Sequence, residues 1–279
     1  MNKEMAARKV YNNEPTKSHD CVQSTSNTEQ LAASAQTKIL GTLAAERLSS
    51  LITPISTDHF FKNIWPDNIH YTQHAGALVN DFINQEEFRD LSSLLNIPFK
   101  GLSRVNFNNQ DDITSKTGLR PEQMLKAYQL FQATIYLQDL QMPLIQSWKE
   151  SLDTVLNLDP GTSRVGCFIS PIGKGHHWHY DPYETIIVQV SGEKRWYLAS
   201  DDWQRGIGLG HDRMLEYQEW AKCDKSKVPT PEKYQTFDLK PGSVLFIPYG
   251  HWHTVENLTE SVHLVLNVSR SYLLTGTKP

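Results

Sequence analysis

Residues 240–257 read Lys-Pro-Gly-Ser-Val-Leu-Phe-Ile-Pro-Tyr-Gly-His-Trp-His-Thr-Val-Glu-Asn. Pro241-Gly242 signals a turn. Ser243–Ile247 is an apolar run of strand length, Pro248-Tyr249-Gly250 a second turn, and His253–Glu256 a second strand. Such a segment folds back on itself and delivers a histidine to the start of its second strand. About 70 residues earlier stands His179-Tyr180-Asp181. On an extended segment residues i and i+2 point the same way, so His179 and Asp181 can grip one cation from one side. By strand parity both His251 and His253 can face inward and complete the set.

Outward from these two segments, short β-rich runs punctuated by Gly, Pro and Asp fill the second half: Arg164–Ser170, Thr185–Val190, Arg195–Ala199, Tyr234–Asp238 and Val262–Ser269. Many short strands with turn signals predict a sandwich or barrel. A long gap at 200–233 interrupts them. It holds Trp203, Arg213, Tyr217 and Trp220, which are candidates for a substrate lid, since loops of this length are uncommon and often functional.

The first half is mixed. Residues 1–35 are polar and without apolar period, and are expected to be flexible. A helical pattern runs from about Thr37 to Ile52, through Leu40, Leu43 and Leu48. A short helix follows Pro54, capped by Thr57 or Asp58. Asn84 and Glu87 read as a capping box for a helix with Phe88, Leu91, Leu94 and Leu95 on one face. Pro121 can open another, with Met124, Tyr128 and Phe131 inward. Thr134–Leu140 reads as a strand. Pro143 opens a helix through Ile145, Trp148, Leu152 and Val155. The expected organisation is a flexible segment (1–35), a helical and mixed part of the catalytic domain (36–160) and a β core (161–279) with the 200–233 insertion.

Two histidines and one carboxylate on one face leave three adjacent positions of a metal open, the facial triad of non-haem Fe(II) chemistry. A keto acid can take two of them and O2 the third. The 279 residues carry a net charge of -4 with a pI near 6.3, which argues against a sequence-independent nucleic-acid binder. Three cysteines without a C-x-x-C indicate neither a disulfide framework nor a thiolate zinc site. No signal-peptide run and no membrane-spanning stretch is visible, so the expected compartment is the cytoplasm. Oligomeric state is not legible.

From about Gly166 to Arg270 the chain resembles the Jumonji-C/cupin-like Fe(II)- and 2-oxoglutarate-dependent oxygenases. The carrying residues are H-Y-D at 179–181, V-S-G-E-K-R-W-Y-L at 190–198, P-Y-G-H-W-H-T-V-E-N at 248–257 and L-V-L-N-V at 264–268. Upstream, P-I-S-T-D-H-F-F-K-N-I-W-P resembles the lead-in helix of that family. The resemblance implies a double-stranded β-helix, a jelly roll with flanking helices. It implies Fe(II) on His179, Asp181 and His253, His251 remaining the alternative. Lys194, thirteen residues after Asp181, is implied as the partner of the far carboxylate of 2-oxoglutarate, because a dianion in a closed barrel needs a buried cation. Thr185, Asn267 and, more weakly, Ser170 are implied as further contacts. Gln189 and Trp196 share the inward parity of Lys194, whereas Arg195 should point away. His176 and His177 sit in what reads as a Gly-rich turn and are not implied as ligands. Nor is His263.

The implied activity is oxidation of a C–H bond with release of succinate and CO2, most simply hydroxylation of an amino acid, a peptide or protein side chain, or a related small molecule. The larger relatives that hydroxylate ribosomal proteins carry further C-terminal regions, so a chain ending at Pro279 leaves both a ribosomal substrate and a family-type dimer in question. The readings to be separated from this one are a cupin metalloenzyme of another class (an isomerase or a keto-acid-independent dioxygenase), an N-methyl demethylase and a non-enzymatic binding module.

Overall fold

Strand by strand, the second half alternates between side chains that face two different apolar layers. The computed structural model describes residues 22–109, 112–159, 161–181, 183–200 and 229–269. Two units divide after Leu40. In the first, helix α1 (Val22–Ile52) starts well before the expected Thr37. No Pro or Gly interrupts residues 22–40, and a helix with polar residues all round gives no apolar period to read. Ser34, Gln36 and Lys38–Leu40 are exposed there. The calls on residues 1–21 lie outside the described residues.

The second unit begins at Gly41. The end of α1 buries Ala44, Leu48, Leu51 and Ile52. Helix α2 (Thr57–Asn63) is capped by Ser56, whose Oγ accepts from the N–H of His59 at 3.2 Å, rather than by Thr57 or Asp58. Strand β1 (His70–Thr72) and helix α3 (Ala77–Ile83) follow. The helix expected at Asn84–Leu95 is broken in two. Asn84 closes α3, Glu86–Phe88 is a single 3-10 turn, and α4 (Leu91–Leu95) starts afresh because the carboxylate of Asp90 accepts from the N–H of Ser93 at 2.8 Å. A polar hairpin, β2 (Ser103–Asn109) and β3 (Asp112–Thr117), was not legible. Helix α5 (Pro121–Phe131) buries Met124 and Tyr128, but Phe131, its last residue, is exposed and instead meets Phe107 edge-on at 6.0 Å. Strand β4 (Thr134–Leu137) and helix α6 (Pro143–Val155) follow, with Ile145, Trp148 and Leu152 buried.

The core strands are β5 (Ser163–Ser170), β6 (Gly175–His179), β7 (Glu184–Ser191), β8 (Lys194–Ala199), β9 (Tyr234–Leu239), β10 (Val244–Ile247), β11 (His253–Asn257) and β12 (Ser261–Val268). They form two antiparallel sheets. One has eight strands in the order β1-β10-β7-β12-β5-β4-β2-β3. The other has four, in the order β6-β11-β8-β9. Both faces of the larger sheet's central strands β10, β7, β12 and β5 are largely buried. Its outer face (Cys167, Ile169, Ile186, Val188, Phe246, Leu264, Leu266) shares an apolar cluster with Phe82, Ile145 and Trp148 from the helices. Its inner face (Tyr136, Ile187, Leu245, Ile247, Val265) packs on Trp196, Leu198 and Leu239 of the smaller sheet. Each such aliphatic side chain contributes about 1.5–3 kcal/mol on burial, so the two layers outweigh the weak propensities of the short helices between them.

Strand β6 stands where a Gly-rich turn was expected. A run of three histidines carries no apolar alternation, so its strand state comes from its neighbour β11. A Cβ at Gly175 would collide with the backbone carbonyl of Val255 on β11. Gly175→Ala is therefore expected to force the two strands apart, costing about 1–3 kcal/mol of unfolding free energy in urea titrations and weakening metal binding in the same protein.

Candidate metal centre

The register of β11 with β6 sets His253 directly opposite His179. Neighbouring strands lie about 4.8 Å apart, and the two imidazoles meet with ring centroids 4.2 Å apart. The pairing slips between His253 and Val255, so β6 carries an extra residue, a bulge of the kind that re-aims a side chain. It brings His176 onto His179 as well, at 4.1 Å between centroids.

The chain then turns so that Asp181 joins the pair. Its backbone carbonyl accepts from the N–H of Gly250 at 2.9 Å. Gly250 has φ 68°, a left-handed conformation that suits glycine, and it is what folds Pro248–Gly250 back toward Asp181. Oδ2 of Asp181 lies 3.7 Å from Nε2 of His253. One ligand atom each of His179, Asp181 and His253 can be chosen within 4.8 Å of the others, and no fourth His, Cys, Asp or Glu joins this group among the described residues.

Both histidines have their tautomers set in the same way. Nδ1 of His179 lies 2.6 Å from the carbonyl of His177, and Nδ1 of His253 lies 2.9 Å from the carbonyl of His251. A carbonyl only accepts, so each Nδ1 carries the proton and each Nε2 keeps its lone pair for a cation. Burial pushes both rings down to about 4, with each ring's histidine neighbours adding to the effect and Asp181 opposing it at His179. At neutral pH both are therefore uncharged ligands. His251 does not compete, since its Nε2 lies 2.7 Å from the carbonyl of Ala199.

Deeper in the barrel, Lys194 is 2% exposed. Its Nζ donates to Oγ of Ser170 at 3.1 Å, and no carboxylate pairs with it among the described residues. Burial pushes the ammonium down to about 7, Cys167 opposing weakly. Lys194 pairs with Asn257, four positions along β11 from His253, which is about 13 Å of strand. Oγ1 of Thr185 donates to Oδ1 of Asn267 at 3.3 Å. Gln189 and Trp196 are buried, and Arg195 points out to a bidentate pair with Asp238 at 2.6 and 2.8 Å. The candidate lid residues Trp203, Arg213, Tyr217 and Trp220 lie outside the described residues.

Residues 140–274 match the model of the JmjC domain. This stretch, just under half of the chain, is similar to that family. The chain is 26% identical to the uncharacterized protein YxbC of Bacillus subtilis, over 80% of this chain and 70% of that protein. It is 28% identical to ribosomal oxygenase 2 of Bos taurus, over 80% of this chain and 47% of that protein. In fold, the chain is similar to the ribosomal oxygenase YcfD of Escherichia coli crystallised with cobalt and 2-oxoglutarate. The TM-score is 0.51 at 17% identity, over 77% of this chain and 52% of YcfD. The chain thus spans about half the length of these ribosomal oxygenases.

Sequence reasoning missed the two backbone carbonyls that orient the ligands, which the i−2 spacing before each ligand histidine could have suggested. It also passed over the buried ring nitrogens of Trp196 and His263, for which no sequence signal exists.

The geometry gives two predictions. His253→Ala should lose cobalt(II) affinity by more than the 10–100-fold typical of removing an outer hydrogen-bond partner, whereas His251→Ala, which keeps the backbone carbonyl that orients His253, should lose less than about tenfold. Metal-bound spectra during titration read both. The second concerns stability. The folded rings of His179 and His253 bind a proton only near pH 4, the unfolded rings near 6.5. The metal-free protein should therefore lose stability as pH falls from 6.5 toward 4. The folded Lys194 releases its proton near 7, the unfolded one near 10.5, so stability should also rise between those values, and this second slope should vanish in Lys194→Met. Thermal denaturation across pH measures both.

Proposed function

We propose that this protein is an Fe(II)- and 2-oxoglutarate-dependent dioxygenase that hydroxylates a protein or peptide side chain, forming succinate and CO2. The observation that carries the reading is one pairing: a His-Asp-His triad with both Nε2 lone pairs free, and a buried ammonium with no carboxylate partner among the described residues. Two neutral nitrogens and one carboxylate oxygen suit ferrous iron, and an uncompensated buried cation suits the far carboxylate of a keto diacid. The similarity to ribosomal oxygenase 2 supports a polypeptide substrate.

When bound, the iron and the keto acid supply the O2-dependent oxidant that replaces a C–H bond with C–OH. The chain's own residues hold, orient and dry that centre. His179 and His253 stay neutral through burial and keep their lone pairs aligned through the carbonyls of His177 and His251. Asp181 supplies the anionic ligand, fixed through its backbone to Gly250. Lys194 places its charge at the inner end of the barrel, with Ser170 as its hydrogen-bond acceptor. Thr185 and Asn267, joined to each other on adjacent strands of the inner face, offer the remaining polar contacts along the barrel. Trp196 and Leu198 wall the space against water.

The test is release of CO2 from C1-labelled 2-oxoglutarate, with peptide products read for a gain of one oxygen. Turnover should require Fe(II) and fall to background in Asp181→Ala. Lys194→Ala should raise the KM for 2-oxoglutarate about 10- to 100-fold, the worth of a hydrogen bond to a charged group. Unchanged turnover in Lys194→Ala would favour a keto-acid-independent metalloenzyme. Formaldehyde from an N-methylated peptide would mark demethylation, which starts from the same C–H oxidation.

A further inference from the structure

The ring nitrogens of two buried side chains on the inner barrel, Trp196 and His263, take no part in the metal centre. Trp196 lies 5.8 Å from His253 and 5.8 Å from His263, edge-on to the latter. His263 stacks on Phe168 at 4.9 Å with 14° between planes. Both are buried. Nε1 of Trp196 and Nδ1 of His263 have no hydrogen-bond partner, and neither does Oε1 of Gln189, which stands opposite His263 on the neighbouring strand. Buried polar atoms are ordinarily paired, so three orphans on one inner surface point to a group that arrives from outside.

The neighbourhood says what kind of group. His263 sits within the field of Lys194, which with burial keeps the imidazole uncharged. A neutral imidazole carries one N–H to give. Ser170 accepts from Lys194 and retains its own O–H as a donor. Ammonium, hydroxyl and imidazole therefore supply three donors and no anion, while an ionised carboxylate offers about four acceptor positions.

We propose that His263 is a carboxylate-binding residue of the keto-acid subsite, donating a hydrogen bond to the distal carboxylate of 2-oxoglutarate beside Lys194. This rests on the reading of the barrel as a 2-oxoglutarate site. It makes His263 a discriminator for diacids over 2-oxo acids that lack the second carboxylate.

The experiment is calorimetry on the full chain loaded with cobalt(II), without O2, using 2-oxoglutarate and pyruvate as ligands. His263→Phe keeps the ring stack and removes both nitrogens. It should bind 2-oxoglutarate about tenfold more weakly or worse, with cobalt stoichiometry and pyruvate affinity unchanged, and His263→Gln should recover part of the loss. Unchanged affinity for 2-oxoglutarate in His263→Phe, or equal losses for both ligands, overturns the assignment. If His263→Phe does not fold, the zinc-loaded wild type decides by NMR. The His263 ring nitrogens should shift with 2-oxoglutarate and not with pyruvate, and no shift overturns the assignment. A wild type that binds cobalt but not 2-oxoglutarate overturns the reading of the barrel itself, a result distinct from failure of His263 alone.

Discussion

Closing a barrel around histidines forces each ring to find a partner for its N–H or to face a ligand, because water is no longer there to serve. His179 and His253 meet that constraint with the same device. Each gives its Nδ1 proton to the carbonyl two residues before it, on the same strand or its lead-in, and the Nε2 lone pairs are left looking into the barrel. The register of β11 on β6 then brings those lone pairs together, and the bulge in β6 adjusts the approach. Shifting that register by one residue would turn both rings away from each other, since side chains alternate along a strand. The metal centre is thus a property of strand pairing as much as of residue type.

Lys194 poses the opposite problem, a charge placed where solvation is weak. Removing an ammonium from water costs several kcal/mol, and one hydroxyl at 3.1 Å does not offset that. An anion at about 4 Å returns roughly 4 kcal/mol at an effective dielectric constant near 20. The two effects are comparable in size, which is why burial alone lowers the ammonium to about 7 and why a carboxylate would raise it again. A methionine at this position would carry no such desolvation cost, whereas a lysine gains from an anion beside it.

Much of this was legible in the sequence because the signals were local. The turns at Pro241-Gly242 and Pro248–Gly250 framed β10 and β11, and the apolar runs of β5, β7 and β12 marked strands to within a residue or two of their ends. What was not legible depended on partners distant in the chain. Strand β6, with His176, His177 and His179, has no strand pattern of its own and exists because β11 pairs with it. The β2–β3 hairpin is polar, and α1 from Val22 to Leu40 has no apolar stripe, so neither leaves a period to read. In the site, residue types and spacing reached His179, Asp181 and either His251 or His253, and family resemblance chose His253 and pointed to Lys194 and Ser170. The unsatisfied nitrogens of Trp196 and His263 are facts about enclosure, which no linear pattern encodes.

The two sheets divide the work, and their burial patterns say how. Strand β7 is buried at nearly every position because helices cover one of its faces and the smaller sheet the other. Strand β8 instead alternates, with Lys194, Trp196 and Leu198 inward and Arg195 and Tyr197 outward, where Arg195 meets Asp238 in a half-exposed pair. A sheet wetted on one face can give its inner face to polar groups while its outer face keeps the strands soluble. Among the described residues, the strand carrying His179 stands at one end of this sheet. That placement sets His179 and the buried Lys194 on β8 at different depths of the barrel, Lys194 lying four positions along β11 from His253.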